Sequence, residues 1–226
     1  MTVFAVEPEC RELGLVAGAI VFRDVSIGDA PRELRDSMAS ESTRVAEEFP
    51  TAADLRALPE IAAHHELLRS VGVKPRRRPP STEKLLELAR SGRGLPAINN
   101  LVDAYNLVSI RTRCSLGAHD LDRFTPPATL RLLRGDERFR PLGSDEDQPT
   151  KAGEFAYVDA ANRVLCRLDS LQADFSKVTA ATKNALLIVE ATTRHAPEQV
   201  AAAFEEVAQL VTQYCGGTSA VLVRPA

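Results

Sequence analysis

Read for the spacing of its apolar positions, the chain divides into short alternating or continuous apolar runs and longer helical ones. Leu13 to Val25, LGLVAGAIVFRDV, is rich in small and β-branched residues and predicts a strand or hairpin, joined to a short strand at Thr2 to Val6. Pro31 opens a stretch of helix-forming residues that runs to Phe49, and a second helix is expected from Pro59 to Val71, closed by Gly72. Ser81 is placed to cap a third helix that runs to Arg90 and ends at Gly92 and Gly94. Apolar residues at 101, 102, 105, 108 and 110 give Asn99 to Arg113 one buried helical face.

Short strands are predicted around Thr129 to Leu133, Glu154 to Val158, Arg163 to Leu168 and Ala185 to Glu190. Between the first two, Gly143 to Gly153 is acidic and contains proline, so it is a loop. Pro197 opens a last helix, Glu198 to Tyr214, which Cys215-Gly216-Gly217 stops, and Ser219 to Val223 is a final strand. Strands and helices are interspersed without a regular βαβ repeat or a glycine-rich phosphate loop. The pattern favours a compact α+β (mixed α/β) domain, a mixed sheet flanked by helices, over a doubly wound nucleotide binder.

Composition narrows the function more than the fold. At 226 residues the chain has room for a substantial core in one large domain or two small ones. Its 28 basic and 31 acidic residues leave a net charge of −3, which argues against a polyanion-coating protein or a DNA binder. The sharpest local feature is nevertheless basic: KPRRRPP, Lys74 to Pro80. No Trp and few aromatics weaken any stacking platform for single-stranded bases. With no apolar run of membrane length and no export signal, a soluble, cytoplasmic chain is expected. Cys10, Cys114, Cys166 and Cys215 lie far apart, which predicts buried free thiols. His64, His65, His119 and His195 show no metal-ligand spacing, so neither a metal nor another cofactor is expected, and His64 and His65 read as solvent-facing.

The segment VDAYNLVSIRTRCSLGAHDLDR, Val102 to Arg123, resembles a pattern of the B3/B4 tRNA-binding and editing domain of the bacterial phenylalanyl-tRNA synthetase beta subunit, V-D-x-T-N-Y-V followed eight residues later by M-H-A-F-D-L-D-R. RGLPAINN, Arg93 to Asn100, is similar to free-standing members of that family. SKVTAATKNALL, Ser176 to Leu187, resembles S-G-V-x-x-x-T-x-N-V-L-L, and EEVAQLVTQYCGG, Glu205 to Gly217, resembles the E-R-A-x-x-L-x-x-x-x-C-G-G helix. The ordered matches cover residues 76–218, while 1–72 carries no recognised motif. The whole of 1–226 is therefore expected to be one B3/B4-like domain.

The resemblance implies a pocket that hydrolyses wrongly attached amino acids from tRNA, and this chain departs from that pocket at several points. The family's pocket His falls on Gly117 and its Thr on Tyr105. Its G-G-x-x-G-G lining falls on Leu168 to Ala173, which contains Asp169 and Gln172. The pocket Glu falls on Ile188, and Glu190, two residues on, shares its strand face. Asn106 and Glu190 are thus the catalytic candidates. Asn99, Asn100, Tyr105, Gly117, His119, Asp169 and Gln172 are the substrate-binding ones, and Lys74, Arg76, Arg77 and Arg78 the RNA-binding ones.

Each of these has a purely structural alternative. His119 either packs in the core or replaces the lost imidazole. Asp120 and Asp122 sit at strand spacing, either as a catalytic carboxylate pair or in structural ion pairing with Arg123. Asn99 and Asn100 are either helix caps or ligand contacts. Glu190 is either buried with a partner or wet at a strand end, and the arginine run is either a solvated loop or a phosphate clamp. The expected function is hydrolysis of an aminoacyl-tRNA in trans, without synthetase activity. The alternatives are a non-catalytic module that binds an amino acid or RNA, and an enzyme acting on a small acylated substrate unrelated to tRNA.

Overall fold

A computed structural model describes residues 2–223. Its elements, in chain order, are β1 (Phe4–Val6), α1 (Pro8–Glu12), β2 (Leu15–Arg23), α2 (Arg32–Glu48), α3 (Ala52–Ala57), α4 (Pro59–Ser70), α5 (Ser81–Arg90) and α6 (Asn100–Thr112). There follow β3 (Ser115–Asp120), β4 (Ala128–Leu132), β5 (Phe155–Val158), β6 (Val164–Arg167), β7 (Leu171–Gln172), β8 (Asn184–Thr192), α7 (Pro197–Cys215) and β9 (Thr218–Val223). The class is α+β, as the sequence predicts, but the strands form two sheets rather than one.

The first sheet has the order β1-β4-β5-β6-β7 and is mixed, because β1 runs parallel to β4; the second, β3-β8-β2-β9, is antiparallel throughout. The two N-terminal strands therefore part company. β1 joins the first sheet and β2, a single strand rather than a hairpin, lies inside the second.

Alternation along β2 and β8 sends side chains to two cores. Ile20, Phe22, Leu187 and Val189 pack against α6 and α7, while Ala17, Ala19, Leu186 and Ile188 face the first sheet through Leu130, Phe155 and Tyr157. α6 is buried on nearly every side rather than on one face, because α2, α5, α7 and β3 all pack around it. Gly217 shows why the chain after α7 needs glycine. Its φ is +76°, and a Cβ there would lie 2.1 Å from the Arg23 carbonyl oxygen.

Candidate functional site

Where the inner face of β3 and β8 meets α4, the start of α5 and the turn between β6 and β7, polar side chains converge between the two sheets. Ser115 pairs with Glu190 and Gly117 with Ile188 across the β3–β8 register, so both pairs share this face. Glu190 is buried, at the position the period-2 spacing from Ile188 predicts. Its Oε2 accepts a hydrogen bond from the Tyr157 hydroxyl, and its Oε1 lies 3.5 Å from Nε2 of His64 on α4. The same His64 nitrogen is 3.6 Å from Asp169 Oδ2. The side chains of His64, Asp169 and Glu190 are only 2%, 3% and 3% exposed.

Asp169 is held by the start of α5. The Ser81 backbone N–H donates to its Oδ2 at 3.1 Å and the Ser81 hydroxyl to Oδ1, while the Ser115 hydroxyl donates to Oδ2 at 3.0 Å. Thr82 extends the network to Ser115 at 2.8 Å. Ser81 is thus the first residue of α5 and turns toward Asp169 rather than capping the helix. Both Leu168 and Asp169 have left-handed backbone, φ +53° and +64°. These are the two positions that the first glycine pair of the G-G-x-x-G-G resemblance falls on, and here the left-handed turn is built without glycine. A non-glycine residue in that region stores about 1–3 kcal/mol of strain.

Burial alone pushes the His64 imidazole down, but Glu190 and Asp169 outweigh it and raise its pKa above the ordinary value. Burial, reinforced by the charge of Asp169, raises Glu190 against the opposing pull of His64 and Tyr157. Both shifts favour a proton on this pair. Burial, with Glu190 next to it, raises the Tyr157 phenol far above its usual range, so it remains a donor.

A cavity of about 30 Å³ touches this cluster, with Ser115, Gly117, His119, Tyr157, Asp169 and Glu190 among its walls. That is room for roughly one water molecule. A Cβ on Gly117 would meet nothing within 4 Å, so open space lies where the family's imidazole would begin.

Of the candidates named from the sequence, Gly117, His119, Asp169 and Glu190 come together here. His119 is buried, shares a hydrogen bond with Ser176 at 3.0 Å, and is pushed down by burial to about 4. Gln172 lies just outside, its side-chain amide donating to the Ala118 carbonyl at 3.1 Å. Asn106 and Tyr105 sit on α6, away from these walls, and among the described residues Asn106 has no side-chain hydrogen bond. Asn99 caps α6 by accepting from the Val102 N–H. Asn100 is an anchor: its Oδ1 accepts from the Gly28 N–H at 3.0 Å, and its Nδ2 donates to the carbonyls of Ser26 and Tyr214.

Two expectations are corrected. His64 and His65 are both buried, because α4 is wedged between β8 on one side and α5 on the other, and His65 Nε2 contacts Glu83 at 2.6 Å. Asp120 and Asp122 do not pair with Arg123, nor do they share a strand face. β3 ends at Asp120, whose carboxylate takes the Asp122 N–H and the Thr182 hydroxyl, while Asp122 takes the Asn184 amide. All four cysteines are free, and Cys166, at the cavity wall, is only half-buried. Sequence reading missed His64, Ser115 and Tyr157. The only signal for them was strand period 2, which links Ser115 to Gly117.

On the far side of α4 and α5 lies a broad groove in two connected stretches of about 870 and 690 Å³, both walled by Arg56, His65, Pro75 and Arg76. Lys74, Arg76 and Arg77 of the basic run line it, joined by Arg69, Lys84 and Arg93 and opposed by Glu66, Glu83 and Glu87. Arg78 is exposed beside it. Lys84 connects the two regions: burial lowers its ammonium, against the pull of the nearby Asp169 charge. The three atoms of His64, Asp169 and Glu190 that are able to bind a metal lie within 4.8 Å of one another, a proximity that spacing along the chain does not reveal. Among the described residues no helix is long and apolar enough to cross a membrane.

Comparison with known proteins agrees with the sequence patterns. Phenylalanine–tRNA ligase beta subunits of Methanococcus vannielii and Methanococcus maripaludis strain C5 are 30% and 28% identical over 109 residues. Each match covers 39% of this chain and 20% of the relative, so the chain spans about a fifth of the curated relatives it matches. A crystal structure of an N-terminal fragment of the phenylalanyl-tRNA synthetase beta subunit from Pyrococcus horikoshii aligns with 96% of this chain and 50% of its own, at 14% identity and a TM-score of 0.48. The B3/4 domain model matches residues 63–216, more than half of the chain, and the chain belongs to the B3/4 domain family.

Proposed function

We propose that this chain acts on an aminoacyl-tRNA, or a closely related aminoacyl ester, and hydrolyses the ester at the His64–Glu190–Asp169 centre. The observation that carries this reading is a buried imidazole between two carboxylates beside the space that Gly117 leaves open. The family's pocket histidine is missing from β3, and His64 supplies an imidazole from α4 instead.

In this scheme a water in the cavity gives its proton to the His64–Glu190 pair as it adds to the ester carbonyl. The pair then returns a proton to the departing ribose oxygen. Asp169 faces the imidazole with its charge, and Tyr157 fixes Glu190. An aminoacyl ester is already an activated bond, so no nucleophilic side chain is needed. The basic groove takes the phosphates of the RNA, with Arg76 and Arg77 as its main contacts.

The test is release of labelled amino acid from a panel of correctly and wrongly charged tRNAs by the purified chain, alongside Glu190→Gln. Turnover on one charged species that Glu190→Gln abolishes supports the reading and names the amino acid. No turnover on any species overturns hydrolysis. A second reading, a non-catalytic module for RNA or an amino acid, is favoured by the size of the cavity, which holds a water but not an amino-acid side chain.

A further inference from the structure

We propose that His64, Asp169 and Glu190 form a binding site for one divalent transition-metal ion of the zinc or manganese class. The first argument is distance. His64 Nε2 lies 3.5 Å from Glu190 Oε1 and 3.6 Å from Asp169 Oδ2, and no hydrogen-bond partner of that nitrogen is closer. A good N–H···O bond spans about 2.7–3.2 Å, so the imidazole is poorly served as a donor. Ligand bonds of about 2.0–2.1 Å at tetrahedral angles place neighbouring ligand atoms about 3.3–3.4 Å apart. The two edges at the imidazole are close to that value, and the three ligand atoms together span up to 4.8 Å, so an ion would draw the two carboxylate oxygens toward each other.

The second argument is charge. Two carboxylates and one imidazole are almost fully withdrawn from water, and buried charges persist where they are paired or hold a metal. Nitrogen and carboxylate oxygen together suit zinc or manganese rather than a soft copper(I) site.

The third argument is the way the remaining oxygens are held. Tyr157 donates to Glu190 Oε2 and leaves Oε1 toward His64. Ser81 donates its hydroxyl to Asp169 Oδ1, while Oδ2 takes the Ser81 N–H and the Ser115 hydroxyl and still faces His64. Tyr157 and the Ser81 hydroxyl thus hold the two non-ligating oxygens, as outer donors do at metal sites, and an ion at Oδ2 would take the place of one of its two present donors. Separately, the cavity of about 30 Å³ borders both Asp169 and Glu190 and gives a bound water room at the open position.

The site uses the same atoms as the hydrolytic reading, and an ion on His64 Nε2 and Glu190 Oε1 excludes a proton there. It is an alternative occupancy of the cluster, tested apart from hydrolysis because metal binding is measured without substrate. The full chain, stripped with a chelator that is then removed, is titrated with Zn²⁺ by calorimetry and with Co²⁺ by visible absorption. One ion per chain is expected, with cobalt d–d bands and no intense thiolate-to-cobalt band in the near ultraviolet. His64→Ala and Glu190→Gln should weaken binding by more than ~100-fold, beyond what loss of an outer partner of a metal ligand costs. Zn²⁺ should raise the unfolding midpoint of the unaltered chain and leave that of Glu190→Gln unmoved. Glu190→Gln keeps the side-chain shape and decides the matter if His64→Ala does not fold. No binding at micromolar ion, binding that both variants leave unchanged, or a thiolate band would each overturn the proposal.

Discussion

Glu137 and Glu190 are both buried acids, held in opposite ways. Glu137, in the turn after β4, accepts from Arg131 Nη1 and the Arg134 N–H, each at 2.7 Å, and from the Gly135 N–H and the Thr150 hydroxyl, each at 3.0 Å. Burial pushes its carboxyl up, but those donors outweigh burial and hold it at about 2. Glu190 has one strong donor, Tyr157, and a distant imidazole, so burial prevails and its carboxyl is raised. A carboxylate that uses its lone pairs on four fixed donors is a strut. One with a single close donor and a long contact to an imidazole, next to a cavity, is available for chemistry.

The largest contrast comes from removing each acid in turn. Glu137→Ala leaves the Arg131 guanidinium and two backbone N–H groups buried without their acceptor and should cost about 3–5 kcal/mol of stability, read from urea unfolding. Glu190→Gln should leave stability within about 1 kcal/mol of the parent while deacylation falls ~10²–10⁴-fold, the usual contribution of a general acid–base group. Equal destabilisation by the two changes would erase the distinction between strut and site.

The pH dependence of stability should separate the same two groups with opposite sign. The pKa of Glu137 is lowered from 4.5 to about 2 by folding, so the unfolded chain binds more protons between those values. Its contribution is complete above 4.5 and is lost as pH falls toward 2. Folding raises Glu190 above 4.5, so there the folded chain holds the extra proton. Its contribution is complete below 4.5 and is lost as pH rises through the raised value. Urea midpoints against pH should therefore show Glu137→Gln converging on the parent in acid and Glu190→Gln gaining on it toward neutral pH. Parallel curves would contradict these assignments.

How much of this was legible in the sequence follows from what each element depends on. Proline and glycine punctuation with a regular apolar period marked α5, α6, α7 and β8 closely, and period 2 sent Glu190 to the face of Ile188. β3 was not marked, because SLGAHD offers a glycine and three polar groups where a strand signal needs β-branched residues. Adjacent histidines on a helix point roughly 100° apart, so reading both as solvent-facing was natural; only the contacts of α4 with β8 and with α5 bury both. Asn100 looks like a ligand contact in a motif and is a bracket joining Ser26, Gly28 and Tyr214, segments far from it in the chain. The site itself comes from α4, α5, β3, the β6–β7 turn and β8, and local spacing does not encode that convergence.

Asp169 lies between strut and site, and its removal should have a smaller effect on folding. Asp169→Gly relieves the left-handed backbone at φ +64° but deletes the acceptor for Ser81 and Ser115. Relief of about 1–2 kcal/mol against three lost hydrogen bonds of about 1 kcal/mol each predicts a net loss of about 1–2 kcal/mol. Thermal unfolding measures it, and a loss as large as that of Glu137→Ala would make Asp169 a second strut.

The smallest expected effects lie in the groove, where charge works in water. Arg76 and Arg77 are exposed and line it without an ion pair among the described residues. Each contact with an RNA phosphate releases condensed counterion, so affinity should fall with salt. Arg76→Ala and Arg77→Ala should each weaken binding of charged and uncharged tRNA alike. Each should also reduce the slope of log affinity against log salt by about 1. Their stability should stay within about 0.5 kcal/mol of the parent, because no buried group loses a partner. A slope that neither change alters would move the RNA off this groove, while loss for charged tRNA alone would place the two arginines at the aminoacyl end.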